Sequence, residues 1–167
     1  DEAQVREVIG SFVGGYDQIP PMYSALKVNG KKLYELARAG KEVERQARHV
    51  DLPAIEILEI RLPVVKFRVE CSKGTYIRSL CADIGEKLGC GGTMQSLVRT
   101  RVGEFRLTDA LTLTQLQELR DTDRLEEALL PTDRIFADFN AVHVEEKWRK
   151  LIDNGNAFYP GQTMEQT

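Results

Sequence analysis

The residues best suited to chemistry lie between Lys73 and Arg78, where the sequence reads Lys-Gly-Thr-Tyr-Ile-Arg. A glycine turn, a tyrosine and two cations meet there, between a strand-like and a helix-like stretch. The free N–H groups at the start of a helix attract anions, and Lys73 and Arg78 add two full positive charges. The segment is therefore suited to a phosphate or a carboxylate. The alternative, a solvated lysine and an ordinary surface ion pair of Arg78, is the commoner arrangement, and this segment alone favours it.

Two regular elements are predicted to position this segment. Residues 64–71 alternate apolar and polar side chains, which predicts a half-buried strand that includes Cys71. Apolar residues then recur at spacings of three and four over residues 77–88, which predicts a helix. Thr75 is the expected N-cap of that helix, and Gly89 is expected to end it.

The rest of the chain interleaves helical and extended patterns. The predicted helices lie near residues 3–13, 33–38, 113–119, 125–129 and 145–152, and the predicted strands near residues 49–61, 93–105 and 142–144. Asn29-Gly30 predicts a β-hairpin. The strand at 93–105 is expected to carry Arg99 and Arg101 on one face. These elements predict an α+β fold with a mixed or antiparallel sheet flanked by helices.

Charge is unevenly distributed along the 167 residues, although the net charge is only −3. Residues 18–106 hold sixteen basic and ten acidic side chains, a net charge of +6. The segments before and after them carry −3 and −6. Association with a polyanion responds to local potential, so the basic middle predicts a polyanion-binding face. Solvated surface lysines are the alternative.

Composition excludes several classes of protein. An apolar fraction of 42% predicts a globular fold, and no apolar run is long enough to cross a bilayer. The acidic N-terminus does not resemble a signal peptide, so a soluble, cytoplasmic protein is expected. Cys71, Cys81 and Cys90 are too far apart for a metal clip, and both histidines are distant from them. Buried reduced thiols and no metal site are predicted.

Three blocks of sequence agree with a known family. They are residues 20–30 (PPMYSALKVNG) with 34–38 (YELAR), residues 71–78 (CSKGTYIR) with 83–85 (DIG), and residues 97–103 (LVRTRVG). Together they closely resemble the TruB family of transfer-RNA pseudouridine synthases. The resemblance extends over about residues 1–140, in the order and spacing of the family.

The resemblance implies an activity and a substrate. Members of the family isomerise the T-loop uridine at position 55 of tRNA to pseudouridine, without a cofactor. The base is flipped out of the loop, an aspartate acts as the nucleophile, and the uracil is rejoined through carbon 5. The implied partner is the T-stem-loop of tRNA, and a monomer is expected.

The resemblance also assigns roles to individual residues. Arg78 corresponds to the arginine that pairs with the catalytic aspartate, which suits a planar and always charged guanidinium. Tyr76 matches a residue of the substrate pocket, and Leu97 an apolar residue near the base. The candidates for phosphate binding are Lys27, Lys31, Lys32, Lys73, Arg99 and Arg101. Tyr23 and Tyr34 are expected to be core residues and not stacking platforms for RNA.

One departure from the family concerns the catalytic aspartate itself. The G-x-L-D-x-x-A-x-G motif that holds it is absent, and neither Asp83 nor Asp109 stands in the expected context. The chain is therefore predicted to begin after that aspartate and to be inactive alone. Residues 1–140 are assigned to the C-terminal portion of the catalytic domain, and residues 141–167 to the beginning of a truncated PUA-like domain.

Two other functions are compatible with the same sequence. A non-catalytic RNA-binding or RNA-chaperone module would use the basic middle without chemistry, and the absent aspartate favours it. A protein-interaction domain would instead dock its acidic C-terminal part on a basic partner. Only RNA binding should weaken steeply with salt, because bound phosphates release counterions.

Overall fold

The computed structural model describes residues 1–140, 142–157, 159 and 161. The chain divides into two compact units, Asp1–Leu97 and Val98–Thr167. Helices are interleaved with strands, and the four strand pairings among the described residues are all antiparallel. The predicted α+β class is confirmed. The assignment of residues 1–140 and 141–167 to family domains stays a prediction, and Ala141, Phe158, Pro160 and residues 162–167 lie outside the described part.

The first unit contains three helices and six strands among its residues. In chain order they are α1 (Glu2–Gly10), β1 (Tyr16–Gln18), β2 (Lys27–Val28), β3 (Lys31–Lys32), α2 (Leu33–Arg38), β4 (Arg48–Val50), β5 (Ala54–Arg61), β6 (Val64–Glu70) and α3 (Ile77–Lys87). Strand β1 pairs with β4, β2 with β3, and β5 with β6. The predicted hairpin forms at Asn29-Gly30, where both residues have the positive φ that such a turn requires.

The core of the first unit lies where α1 and α3 pack against one face of the β5–β6 hairpin. Ile9, Leu52 and Leu80 are at most 2% exposed. Phe67 and the other inward-facing residues of the hairpin are half-buried against them, as the alternating pattern predicts. Burying each large aliphatic side chain contributes roughly 1.5–3 kcal/mol. This core gives α3 a fixed support.

Helix α3 begins differently from the sequence-based prediction. Its N-cap is Tyr76 and not Thr75. Thr75 Oγ1 instead donates to the backbone oxygen of Ser72, at 2.9 Å, and so closes the preceding turn. Near the other end, a Cβ on Gly85 would overlap the backbone of Gly91 and Gly92, so only glycine permits this close approach.

The second unit contains short elements only. They are β7 (Arg101–Val102), β8 (Phe105–Arg106), α4 (Leu113–Asp121) and α5 (Arg149–Asp153), with 3₁₀ turns at Leu107–Asp109, Leu125–Ala128, Thr132–Phe136 and Glu146–Trp148. None of its described residues is buried. Thr112 caps α4 as predicted, by accepting from the N–H of Gln115.

The strand predicted over residues 93–105 is largely wrong. Only Arg101–Val102 is paired, with Phe105–Arg106, and residues 93–100 form neither helix nor strand. A strand requires a ladder of hydrogen bonds to a neighbour, and in the described part of the chain residues 93–100 form none, although the N–H of Leu107 donates to the backbone oxygen of Thr100 at 2.9 Å. The strand expected at 142–144 reduces to one bridge residue, Val144.

The cysteines are less buried than the sequence suggests. Cys71 and Cys90 are exposed, because Cys71 follows the last paired residue of β6 and Cys90 follows the end of α3. Cys81, on α3, is half-buried, and this burial raises the pKa of its thiol. In the described part of the chain, no cluster of histidine, cysteine and acidic residues could hold a metal ion. None of the described helices is long and apolar enough to cross a membrane.

Candidate functional site

The site begins at the turn between β6 and α3. The N–H of Ser72 donates to the backbone oxygen of Asp51 at 3.0 Å, and the N–H of Asp51 donates to Ser72 Oγ at 3.0 Å. Gly74 has a φ of +91°, which an L side chain rarely adopts. The turn is therefore fixed to the segment between β4 and β5, and it presents an exposed Lys73.

Arg78 lies in the first turn of α3 with its side chain exposed. Its Nη2 donates to the backbone oxygen of Tyr23 at 2.9 Å. Among the described residues no carboxylate lies within 4.0 Å of this guanidinium, so the ordinary surface ion pair is not formed there. A guanidinium has five N–H donors, and one contact leaves enough of them for a bidentate carboxylate.

Tyr76 is held through its backbone by a glutamine from β1. Gln18 Oε1 accepts from the N–H of Tyr76 at 2.8 Å, and Gln18 Nε2 donates to the backbone oxygen of Tyr76 at 3.1 Å. Gln18 is only 1% exposed. Next along the helix, Ser79 Oγ donates to the backbone oxygen of Ile19 at 3.4 Å. The last residue of β1 and the residue that follows it therefore support the start of α3.

The two aspartates closest to the site in sequence have structural partners. Asp83 Oδ2 accepts from the hydroxyl of Tyr16 at 2.6 Å. Burial and this bond to a carboxylate raise the pKa of Tyr16, so its hydroxyl stays a donor at neutral pH. Asp109 is exposed in the second unit and accepts from Thr108 Oγ1 at 3.0 Å. Neither aspartate is paired with Arg78 in the described structure.

The β2–β3 hairpin concentrates positive charge. Lys27 is the cross-strand partner of Lys32, and Val28 that of Lys31. Like charges placed directly opposite each other are destabilising, unless a polyanion neutralises them. Within the described residues, none of these three lysines has an acidic partner within 4.0 Å. The hairpin therefore presents positive charge that no described carboxylate neutralises.

The two tyrosines next to the hairpin differ in exposure. Tyr23 is 58% exposed, so the prediction that it is a core residue is wrong. It lies in an irregular loop whose backbone, and not its ring, is held in place. Tyr34 is half-buried, with Lys32 Nζ at 5.5 Å and Arg38 Cζ at 5.4 Å from its ring centroid. Both distances suit cation–π contacts.

The remaining predicted site residues lie further along the chain. Leu97, the last residue of the first unit, is 56% exposed. Arg99 and Arg101 are exposed in the second unit, Arg99 in the irregular segment and Arg101 at the start of β7. The structure thus brings Tyr76 and Arg78 together at one helix start, and Lys27, Lys31 and Lys32 together at one hairpin.

Gln18 and Tyr16 belong to the site but were not predicted from the sequence. Both belong to a three-residue strand that is too short for a clear alternating pattern. Their partners, Tyr76 and Asp83, are about sixty residues away, and a single sequence contains no signal for such a pairing. The only hint is the position of Gln18 two residues before the matched block that begins at Pro20.

Comparison with family models gives two adjoining matches. Residues 1–77 match the N-terminal domain of TruB family pseudouridylate synthases. Residues 78–137 match the C-terminal domain of tRNA pseudouridylate synthase B. The boundary between the two matches falls between Ile77 and Arg78, within the helix start described above.

Similar proteins include tRNA pseudouridine synthase B of Alkaliphilus oremlandii, 51% identical over 93% of this chain, and that of Clostridium acetobutylicum, 50% identical over 92%. The chain spans about half the length of the curated relatives it matches, 51% and 52% for these two. Among solved structures, a Cbf5-Nop10-Gar1 complex has a TM-score of 0.72 at 29% identity, covering 93% of this chain and 44% of that one. An H/ACA RNP bound to a substrate RNA has a TM-score of 0.69 at 25% identity, covering 95% and 44%.

Proposed function

Because this chain belongs to the TruB family of pseudouridylate synthases, we propose that the protein containing it converts the T-loop uridine at position 55 of tRNA to pseudouridine. The observation that carries the proposal is the start of α3, where Tyr76 and Arg78 are held in place and Arg78 has no acidic partner among the described residues. An unpaired, anchored guanidinium is suited to a carboxylate supplied by another part of the protein.

The reaction is an isomerisation and needs no cofactor. The bond between N1 of uracil and C1′ of the ribose breaks, and a bond between C5 and C1′ forms. The hydrogen leaves C5, and N1 takes up a proton, so no atom is gained or lost. An aspartate outside these 167 residues acts as the nucleophile, and this chain alone is therefore inactive.

The residues of this chain have three roles in the proposal. Arg78 orients the aspartate and stabilises its negative charge. Tyr76 and Leu97 line the pocket that receives the flipped base. Phosphates of the T-stem-loop are bound by Lys27, Lys31, Lys32, Lys73, Arg99 and Arg101. The protein acts as a monomer in the cytoplasm, where tRNA is modified.

The test is pseudouridine formation on a T-stem-loop RNA that carries tritium at carbon 5 of uridine. Tritium is released only when C5 becomes bonded to the ribose. We expect release by the protein extended upstream to include the aspartate motif, and none by the 167 residues alone. Release by neither protein would contradict the proposed activity. Release by the shorter chain would show that an aspartate within it is the nucleophile.

Variants of Arg78 test its role within the extended protein. We expect Arg78→Ala to lower kcat by about 100-fold or more, since it removes a charge that acts on the reacting carboxylate. Arg78→Lys should also fail, because an ammonium lacks the planar fork. Arg6→Ala is the matched control, since it removes an exposed helical arginine whose ion pair, among the described residues, is with Glu2 at 3.9 Å. Near-normal turnover of Arg78→Ala would remove this residue from the mechanism.

A non-catalytic RNA-binding module is the second candidate, and the absence of the aspartate motif from this sequence favours it. Such a module would bind the T-stem-loop with a steep dependence on salt but would release no tritium even when extended. Salt-dependent binding and tritium release, measured for the 167 residues alone and for the extended protein with the same RNA, therefore distinguish the two functions.

A further inference from the structure

We propose that Gln18 is a positioning residue that sets the place of Tyr76 and Arg78, and thereby the rate of the chemical step. The inference rests on the proposed function. It concerns a side chain of β1 that is only 1% exposed and that acts through the backbone of Tyr76.

The contacts of Gln18 use both ends of its amide group. Its oxygen accepts from the Tyr76 N–H, and its nitrogen donates to the Tyr76 backbone oxygen and, at 2.6 Å, to the hydroxyl of Tyr16. Because these contacts reach the N–H and the carbonyl oxygen of the same residue, they fix both the distance and the orientation of the Tyr76 backbone. A side chain that only filled space in the core would need neither contact.

Tyr16 extends the support along the helix. Its hydroxyl accepts from Gln18 and donates to Asp83, two turns after the start of α3. Neighbouring residues of one short strand therefore hold α3 at two places, Tyr76 and Asp83. Strand β1 is itself paired with β4, so the support has a regular base.

Gln18 affects Arg78 because Arg78 is close in sequence to Tyr76. Tyr76 is the N-cap of α3, and Arg78 is only two residues further on. A shift of about 1 Å in a catalytic group can cost on the order of 100-fold in rate. Loss of the Gln18 contacts should therefore lower kcat, while RNA binding through the exposed lysines is largely retained.

The first test replaces Gln18 by methionine in the intact protein. Gln18→Met keeps the length of the side chain but removes all three hydrogen bonds. We expect kcat to fall by about 10- to 100-fold, with KM for the T-stem-loop changed by less than about threefold. The control is Ile9→Ala, which destabilises the same unit from the buried face of α1. Both are assayed well below their unfolding temperatures, so that unfolding does not contribute.

The second test is the pH profile of Gln18→Glu. A protonated carboxyl group can both accept from and donate to Tyr76, whereas the ionised form cannot donate. Burial raises the pKa of such a glutamate, so its kcat relative to wild type should rise as pH falls through that raised pKa. If Gln18→Met does not fold, the pH profile of Gln18→Glu still tests whether Gln18 is a positioning residue.

The outcomes separate the two proposals. If the wild-type protein is inactive, the proposed function is contradicted, and with it the role of Gln18 that rests on it. With an active wild type, a kcat of Gln18→Met equal to that of Ile9→Ala would overturn the inference. So would a ratio of Gln18→Glu to wild type that does not change with pH.

Discussion

The two units of this chain hold their side chains in different ways. In Asp1–Leu97, contacts between residues far apart in sequence, such as Gln18 with Tyr76 and Tyr16 with Asp83, surround a buried core. In the described residues of the second unit nothing is buried, and most hydrogen bonds join residues at most four apart, such as Arg124 with Glu127.

This difference shows what precise positioning requires. Long-range contacts define where a side chain lies relative to the rest of a unit, whereas local contacts define only the shape of a turn. Tyr76 and Arg78, which we propose take part in the chemical step, have the first kind of support. Arg99 and Arg101, which we propose bind phosphates, lie in the second unit, and phosphate binding tolerates less exact placement.

The largest expected effect compares one leucine from each unit. Leu80 is 0% exposed in the core, so Leu80→Ala should lower the free energy of unfolding by about 2–5 kcal/mol. Leu113 is 86% exposed, so Leu113→Ala should change it by less than about 0.5 kcal/mol. Urea unfolding followed by circular dichroism measures both. Similar losses in the two variants would mean that the units do not differ in burial.

A smaller effect is expected from the cap of α4. Thr112 accepts from the N–H of Gln115, whose Oε1 in turn accepts from the N–H of Thr112 at 2.8 Å. Thr112→Ala should cost about 1 kcal/mol and be confined to α4, because few other contacts hold this helix. Amide hydrogen exchange should become faster in α4 and remain unchanged in α3. Faster exchange in both helices would contradict an effect that is confined to α4.

The smallest effect concerns the Arg124–Glu127 pair. A hydrogen bond from Arg124 holds the pKa of the Glu127 carboxyl below its usual range. The stabilising effect of the ion pair is therefore present when the pH is above the ordinary carboxyl pKa. It is lost as the pH falls through the lowered pKa of Glu127. Arg124→Gln should raise the pKa of Glu127 measured by NMR, and salt should do the same, without a measurable change in the free energy of unfolding. An unchanged pKa would show that the pair does not form in solution.

The sequence predicted the elements that depend on local signals. Helix α1, the hairpin at Asn29-Gly30, helix α3 and the cap at Thr112 are all confirmed, because periodicity and turn chemistry act over a few residues. Expectations that depend on tertiary neighbours were less successful. The strand over residues 93–105 lacks a partner for most of its length, and Cys71 is exposed.

The candidate site shows the same division. Tyr76 and Arg78 were found from their place between a strand and a helix, together with a family resemblance. Gln18 was not found, since its function depends on a fold that brings β1 beside α3. A polar residue that is buried by such a fold has no signature in a single sequence.

The close approach of Gly85 to Gly91 and Gly92 packs the loop that follows α3 against the last turn of the helix. Eleven residues of helix are about 16 Å long, and a helix is stiff enough over this length for a displacement of its last turn to move its first turn as well. A side chain added at Gly85 would push the helix along or across its axis, and Arg78 would move with it. Tolerance to substitution should therefore be as low at this glycine, which takes no part in chemistry, as at the arginine itself.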